Sequence, residues 1–266
     1  MKQLLQLLIT SIFLTYHIRY IATVFFLSAF TLLQGADKEI INQQQMWYEF
    51  TETVKVHPRW SVLINVSERH SYKPLFQTQA VARIYFLHHF KSSWSVGTGY
   101  AQFFTWSGKL AVPEFRPEQW VFYRQSFEKI KILTLIHRYK MEERFVRNSQ
   151  GEKLVPGYIF IMRFRYRIGA EVVLFTTGKN KNPFKFSLSE EVMLNAGKSI
   201  VYNVFDQNRF TTGFAYRPVN GLTFSLNYMH FFRQRRTGNQ FDRIHTLRIG
   251  IEHEITVKQK QKPVKI

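Results

Sequence analysis

The sequence contains no cysteine. That excludes a disulfide framework, thiolate-held zinc and thiol redox chemistry, and it leaves the compartment to be read from other features. Acid is scarce as well: 18 Asp and Glu stand against 37 Lys and Arg, for a formal charge of +19. On charge alone, nucleic acid, anionic lipid and acidic small molecules all stay open as neighbours. After residue 44 no stretch keeps a helical period, no glycine-rich phosphate loop occurs, and no strand carries two carboxylates at a catalytic spacing.

What the chain has in quantity is apolar surface. Of its 266 residues 45% are hydrophobic and 17% aromatic, enough for one large all-β domain and far too apolar for disorder. The N-terminal LLQLLITSIFL and IATVFFLSAFTLLQGA form two apolar stretches, the second preceded by His17 and Arg19 and followed by polar DKEIINQQQ. This is the pattern of an export signal, with cleavage expected after Ala36; the competing reading is an uncleaved anchor over residues 4–33. The expected layout is a signal peptide at 1–36, a β-domain at 37–257 and a basic tail at 258–266, the tail carrying Lys258, Lys260, Lys262 and Lys265.

Eleven alternating segments follow one another, at about 45–56, 59–69, 77–88, 92–106, 114–126, 130–147, 157–169, 184–196, 205–217, 221–234 and 241–257. Turn-rich links such as HPR, GKNKNP, VNG and RTGNQ separate them. In MRFRYRIG (162–169) a strand places Arg163, Arg165 and Arg167 on one face and Met162, Phe164, Tyr166 and Ile168 on the other. The same parity sets Trp94, Val96, Thr98, Tyr100 and Phe104 against small residues, and Phe214, Tyr228 and Leu247 against Gly213, Asn227 and Arg248. One face reads as greasy, the other as small or charged.

Two architectures accept that dyad. A soluble barrel or sandwich, here one binding an anionic ligand, would bury the bulky face. An outer-membrane barrel turns it to lipid and lines its interior with the small and charged face. The export signal favours the second, as do Gly97, Gly99, Gly213 and Gly250, which suit a crowded lumen where long arginines need space. The expectation is therefore an all-β, up-and-down antiparallel transmembrane barrel of 10–12 strands, twelve by the even-number habit of bacterial single-chain barrels.

In that barrel the lumen carries Arg83, Arg138, Lys140, Glu142, Arg144, Arg163, Arg165, Arg167, Lys185, Glu191, Gln207, Arg209, Arg248 and Glu252. Neighbouring strands bring the two arginine rows together, which is costly unless carboxylates or bound anions lie between them. Glu142, Glu191 and Glu252 are the counter-charges this reading supplies. It leaves two uses for the interior: a salt-bridge network that fills a narrow barrel, or an anion-attracting pore. No cofactor or metal site is expected, His88 and His89 pointing to opposite faces. An outer-membrane acyl hydrolase or transferase would need a nucleophile beside a base, whereas His245 and Ser225 have opposite parity. Single-strand nucleic-acid platforms put aromatics and cations on one face, and this chain separates them, so the expected partners are membrane lipid and small anions.

Four stretches, HRYKMEERF (137–145), MRFRYR (162–167), SEEVMLN (189–195) and DQNRF (206–210), resemble a family of bacterial outer-membrane barrels of unknown function, DUF2490, common in Bacteroidetes. The resemblance spans roughly residues 45–252. It rests on Glu114 and Arg116, then His137, Arg138, Glu142, Arg144, Arg163, Arg165, Glu191, Gln207, Asn208, Arg209 and His245. It implies an outer-membrane location and no biochemical activity. The chain departs from a common barrel ending, closing on VKQKQKPVKI rather than an aromatic residue.

Overall fold

The computed structural model describes residues 38–257 other than 92, 179 and 180. The expected signal peptide and the basic tail lie outside the described residues. From Ile40 onward the described chain is one compact unit. Among the described residues there are eleven strands: β1 (Glu39–His57), β2 (Trp60–Ser71), β3 (Phe76–His89), β4 (Trp94–Ser107), β5 (Leu110–Ser126) and β6 (Leu133–Gln150), followed by β7 (Lys153–Thr177), β8 (Asn182–Ala196), β9 (Phe205–Val219), β10 (Leu222–Gln234) and β11 (Gln240–Thr256). Each pairs with its neighbours in chain order, and β11 returns to β1 to close a barrel.

No twelfth strand occurs among the described residues, and the consequence falls at the closure. Every consecutive pair is antiparallel. With an odd number of strands, β1 and β11 must then run the same way. Contacts across that seam agree, because both numbers rise together: Gln43 Nε2 donates to Asp242 Oδ1 at 3.0 Å, Lys55 Nζ meets Glu254 at 2.8 Å, and the Val257 amide donates to the Lys55 carbonyl at 2.9 Å. The even count is a habit of barrels that close antiparallel; a parallel seam removes the need for it.

Strand parity sorts the side chains as the period of two requires. Phe164 is 48% exposed and Arg163, its neighbour, 3%. Trp94, Tyr100, Tyr166, Phe214 and Tyr228 are exposed on the outer face with Phe164, as are Leu247, Ile249 and Ile251 on β11. Each strand also sends at least one nearly inaccessible side chain inward. In chain order these include Trp47, Asn65, Tyr85, Ala101, Glu118, Glu142, Arg163, Met193, Thr211, Met229 and Thr246. These residues lie on the inner face of the barrel.

The inner face is not only small and charged. Large apolar residues point inward in three clusters: Trp47 with Met229, Phe231 and Ile244; Val81 with Ala101 and Phe103; and Tyr85 with Leu87 and Trp120. These account for the glycines. A Cβ on Gly99 would lie 2.3 Å from the Tyr85 ring, and one on Gly97 2.5 Å from Leu87 and 2.8 Å from Trp120. Gly213 and Gly250 lie against Asn227 and Ser225. The space expected for arginines is taken by aromatic and small polar neighbours.

The outer face has a polar exception. Glu190 stands among exposed Leu188, Val192 and Phe210, with Ile168 opposite it on β7, and Asn208 Nδ2 donates to its carboxylate.

Candidate functional site

The chemistry of the interior is concentrated on β5 to β9. In β5 the run EFRPEQW alternates, so Glu114, Arg116, Glu118 and Trp120 point inward and Phe115, Pro117 and Gln119 outward. Pro117 has no N–H to donate, and it lies where β5–β6 pairing is interrupted between Phe115 and Glu118. In β6 the inward set is Arg138, Lys140, Glu142 and Arg144. The β6–β7 register then sets Arg138 opposite Arg167, Lys140 opposite Arg165 and Glu142 opposite Arg163. Two cationic rows do meet, as the sequence implies.

Carboxylates from both sides relieve them. Glu142 is fully buried and central: Arg165 Nη1 donates to its Oε1, and Arg116 Nη1, Lys140 Nζ and Arg163 Nε lie 3.4, 3.4 and 3.5 Å away. Glu118, equally buried, receives Lys140 Nζ at 2.6 Å and the Tyr85 hydroxyl. Glu114 accepts from Arg116 Nε and Arg144 Nε, both at 2.6 Å. From β8, Glu191 holds Arg138 Nη2 at 2.6 Å and Arg165 through Nε and Nη2 at 3.1 and 2.9 Å, the two-point geometry in which a guanidinium binds a carboxylate best. Asp206 meets Arg163 Nη1 at 3.1 Å.

Several residues assigned to the lumen from sequence take lesser places. Lys185 pairs with Glu171 at 3.4 Å near the strand end, and Arg248 stands 3.9 Å from Glu49. Gln207 Nε2 donates to Asp206 at 2.9 Å and its carbonyl accepts from Arg209 Nε at 3.1 Å. Arg83 Nη1 donates to Asn65. Arg167 shares the inward face without an ion pair among the described residues. Glu252, counted as a counter-charge, is exposed and makes no ion pair there either; Glu114, Glu118 and Asp206 take that role.

Glu118 and Asp206 reach that position for different reasons. Glu118 follows from the parity that Glu114 and Arg116 already set. Asp206 does not, because it is the extra residue of a β-bulge: Met193 pairs with Gln207 and Leu194 with Phe205. The bulge turns Asp206 to the same side as Gln207, where simple alternation would put it outside.

The histidines lie elsewhere. His137 and His245 are on the outer face, hydrogen-bonded to the hydroxyls of Tyr166 at 3.0 Å and Tyr228 at 2.6 Å, while Ser225 points inward opposite Gly250. His89 faces in, between Ser61 at 2.8 Å and Ser95 at 3.0 Å, and His88 faces out against Trp60. Among the described residues no three His, Cys, Asp or Glu side chains gather as a metal site.

A family model described as a protein of unknown function, DUF2490, matches residues 44–242. No curated protein matches the sequence. Among solved structures the chain is similar to the NanC porin, with 11% identity over 79% of this chain and 98% of the porin chain, at a TM-score of 0.48. It is also similar to the β domain of the Bordetella autotransporter BrkA, with 9% identity over 73% of this chain and 82% of that one, at a TM-score of 0.44.

Proposed function

The chain belongs to the DUF2490 family, and from its two faces we propose that it is an outer-membrane barrel of the bacterial envelope whose interior is held shut by ion pairs, with a structural and not a catalytic duty. The observation that carries this reading is the pairing of an exposed aromatic and aliphatic outer face with an inner charged network centred on the buried Glu118, Glu142 and Arg163. An apolar band on the outside has no use in water and is what hydrocarbon requires. The inner layer is polar enough to line a channel but is filled by its own side chains.

Planar-bilayer recording tests the closed interior. The purified barrel should insert without conductance steps; steps that favour anions would replace the plug by a pore. Catalysis is tested on phospholipid. Hydrolysis or acyl transfer that vanished with His137→Ala or His245→Ala would overturn the structural role.

The same reading makes a prediction for Glu190. A carboxylate within the lipid-facing band is unfavourable even when an amide bonds to it, so Glu190→Leu combined with Asn208→Val should assemble and raise the temperature at which the barrel loses its folded gel mobility. A lowered temperature would show that this face does not meet hydrocarbon.

A further inference from the structure

The interior holds guanidinium groups that make no direct ion pair with its carboxylates among the described residues. Arg69, Arg83 and Arg209 come from β2, β3 and β9, and none of them forms an ion pair among the described residues. Their hydrogen-bond partners are neutral: Arg69 Nη1 donates to Gln79 Oε1 at 2.5 Å, Arg83 Nη1 to Asn65 Oδ1, and Arg209 Nε to Gln207 Oε1 at 3.1 Å. Glu49, the carboxylate on this side, is engaged by Asn65 at 3.1 Å and stands 3.9 Å from Arg248.

Aromatic rings bring the three together. Arg69 Cζ lies 3.7 Å and Arg209 Cζ 5.6 Å from the centre of the Trp47 ring. Arg69 and Arg83 are 5.8 and 5.2 Å from the centre of Phe103. Ring contact supplies some attraction and fixes the guanidinium planes, but it neutralises no charge. Arginine cannot shed its proton, and like charges gathered in a low-dielectric interior repel. A second sign is specific to one atom: Arg69 Nε is buried and has no hydrogen-bond partner. All three residues are partly exposed.

We propose that Arg69, Arg83 and Arg209 form a binding site for a small oxyanion, a carboxylate, sulfate or phosphate, walled by Trp47 and Phe103. Such an anion accepts from several guanidinium N–H groups at once and supplies the missing negative charge. The site rests on the closed-barrel reading only in needing the charged face inside. Conductance and anion binding are therefore scored separately, and a conducting barrel that also bound the anion would refute the plug and leave the site standing.

The test uses the folded full-length barrel in detergent, titrated with sodium phosphate, sodium sulfate or sodium acetate at constant ionic strength against sodium chloride. The readouts are the temperature of the folded-to-unfolded mobility change and binding calorimetry. At least one oxyanion should raise that temperature saturably and bind about tenfold more weakly to Arg69→Gln/Arg209→Gln, with Lys185→Gln unchanged. Equal behaviour of all three oxyanions and chloride would overturn the site, and so would full binding by the double variant. Should the double variant fail to fold, wild-type crystals soaked in sodium selenate decide the matter. An anomalous peak between Trp47 and Arg83 supports the site, and its absence overturns it.

Discussion

Glu142→Gln is expected to destabilise the folded barrel by about 3–5 kcal/mol, the range for removing one partner of a buried ion pair. The change keeps the shape of the side chain and removes its charge. Arg165, Arg163, Arg116 and Lys140 would then surround an amide, whose NH2 group is another donor among donors. Arg165→Gln should cost less, because Glu142 keeps three cationic neighbours and Glu191 keeps Arg138. Glu142→Gln with Arg165→Gln should fall short of the sum of the single changes by about 0.5–3 kcal/mol, the coupling of residues that share a network. Urea unfolding of the barrel in detergent, followed by gel mobility, measures all three. Additive effects would mean that the short contacts around Glu142 do not act together.

The second large effect is expected on the opposite face of the next strand. Phe164 stands between Met141 on β6 and Leu194 on β8, with Tyr166 two residues on, and it is open to the surroundings. Phe164→Arg should cost about 2–4 kcal/mol if the side chain sits near the bilayer midplane, because a guanidinium finds no partner in hydrocarbon. Reduced assembly into membranes, scored by protease resistance and folded mobility, is the expected readout. Phe164→Arg tolerated alongside an Arg165→Gln that blocks insertion would mean that inside and outside have been exchanged.

Much of this was legible in the alternation. All eleven segments became strands, and the residues expected to face outward do so, because a period of two fixes the face once one strand is oriented. The ends were less legible. β7 runs from Lys153 to Thr177, well beyond the 157–169 that its pattern marks. At its start Gly157 takes a φ of 94° and Asn148 donates to the Pro156 carbonyl at 3.1 Å, so the irregularity at Pro156 and Gly157 is absorbed in the strand pair. The parallel seam left no local signature, since it depends on the parity of the whole count. The interior aromatics went uncounted in an inner face described as small or charged. Parity already sets Tyr85 with Arg83, Phe103 with Gly99, Trp120 with Arg116 and Phe231 with Asn227, but it does not say how these rings pack across strands; that takes the register of all the strands. The charge balance suffered likewise, Glu118 being within reach of parity and Asp206 hidden by its bulge.

The orientation of the two faces is what everything else depends on, and the lack of cysteine in the chain makes it directly measurable. Single cysteines at Phe164, Arg167, Phe224, Ser225 and Leu226, each carrying a polarity-sensitive fluorophore in reconstituted vesicles, sample both faces of two strands. Labels at 164, 224 and 226 should emit in the blue and be quenched by brominated lipid, while those at 167 and 225 should resist that quencher. Quenching at 167 and 225 with none at 164, 224 and 226, or no lipid quenching at any position, would contradict a barrel that keeps its charges inside and its aromatics in the membrane.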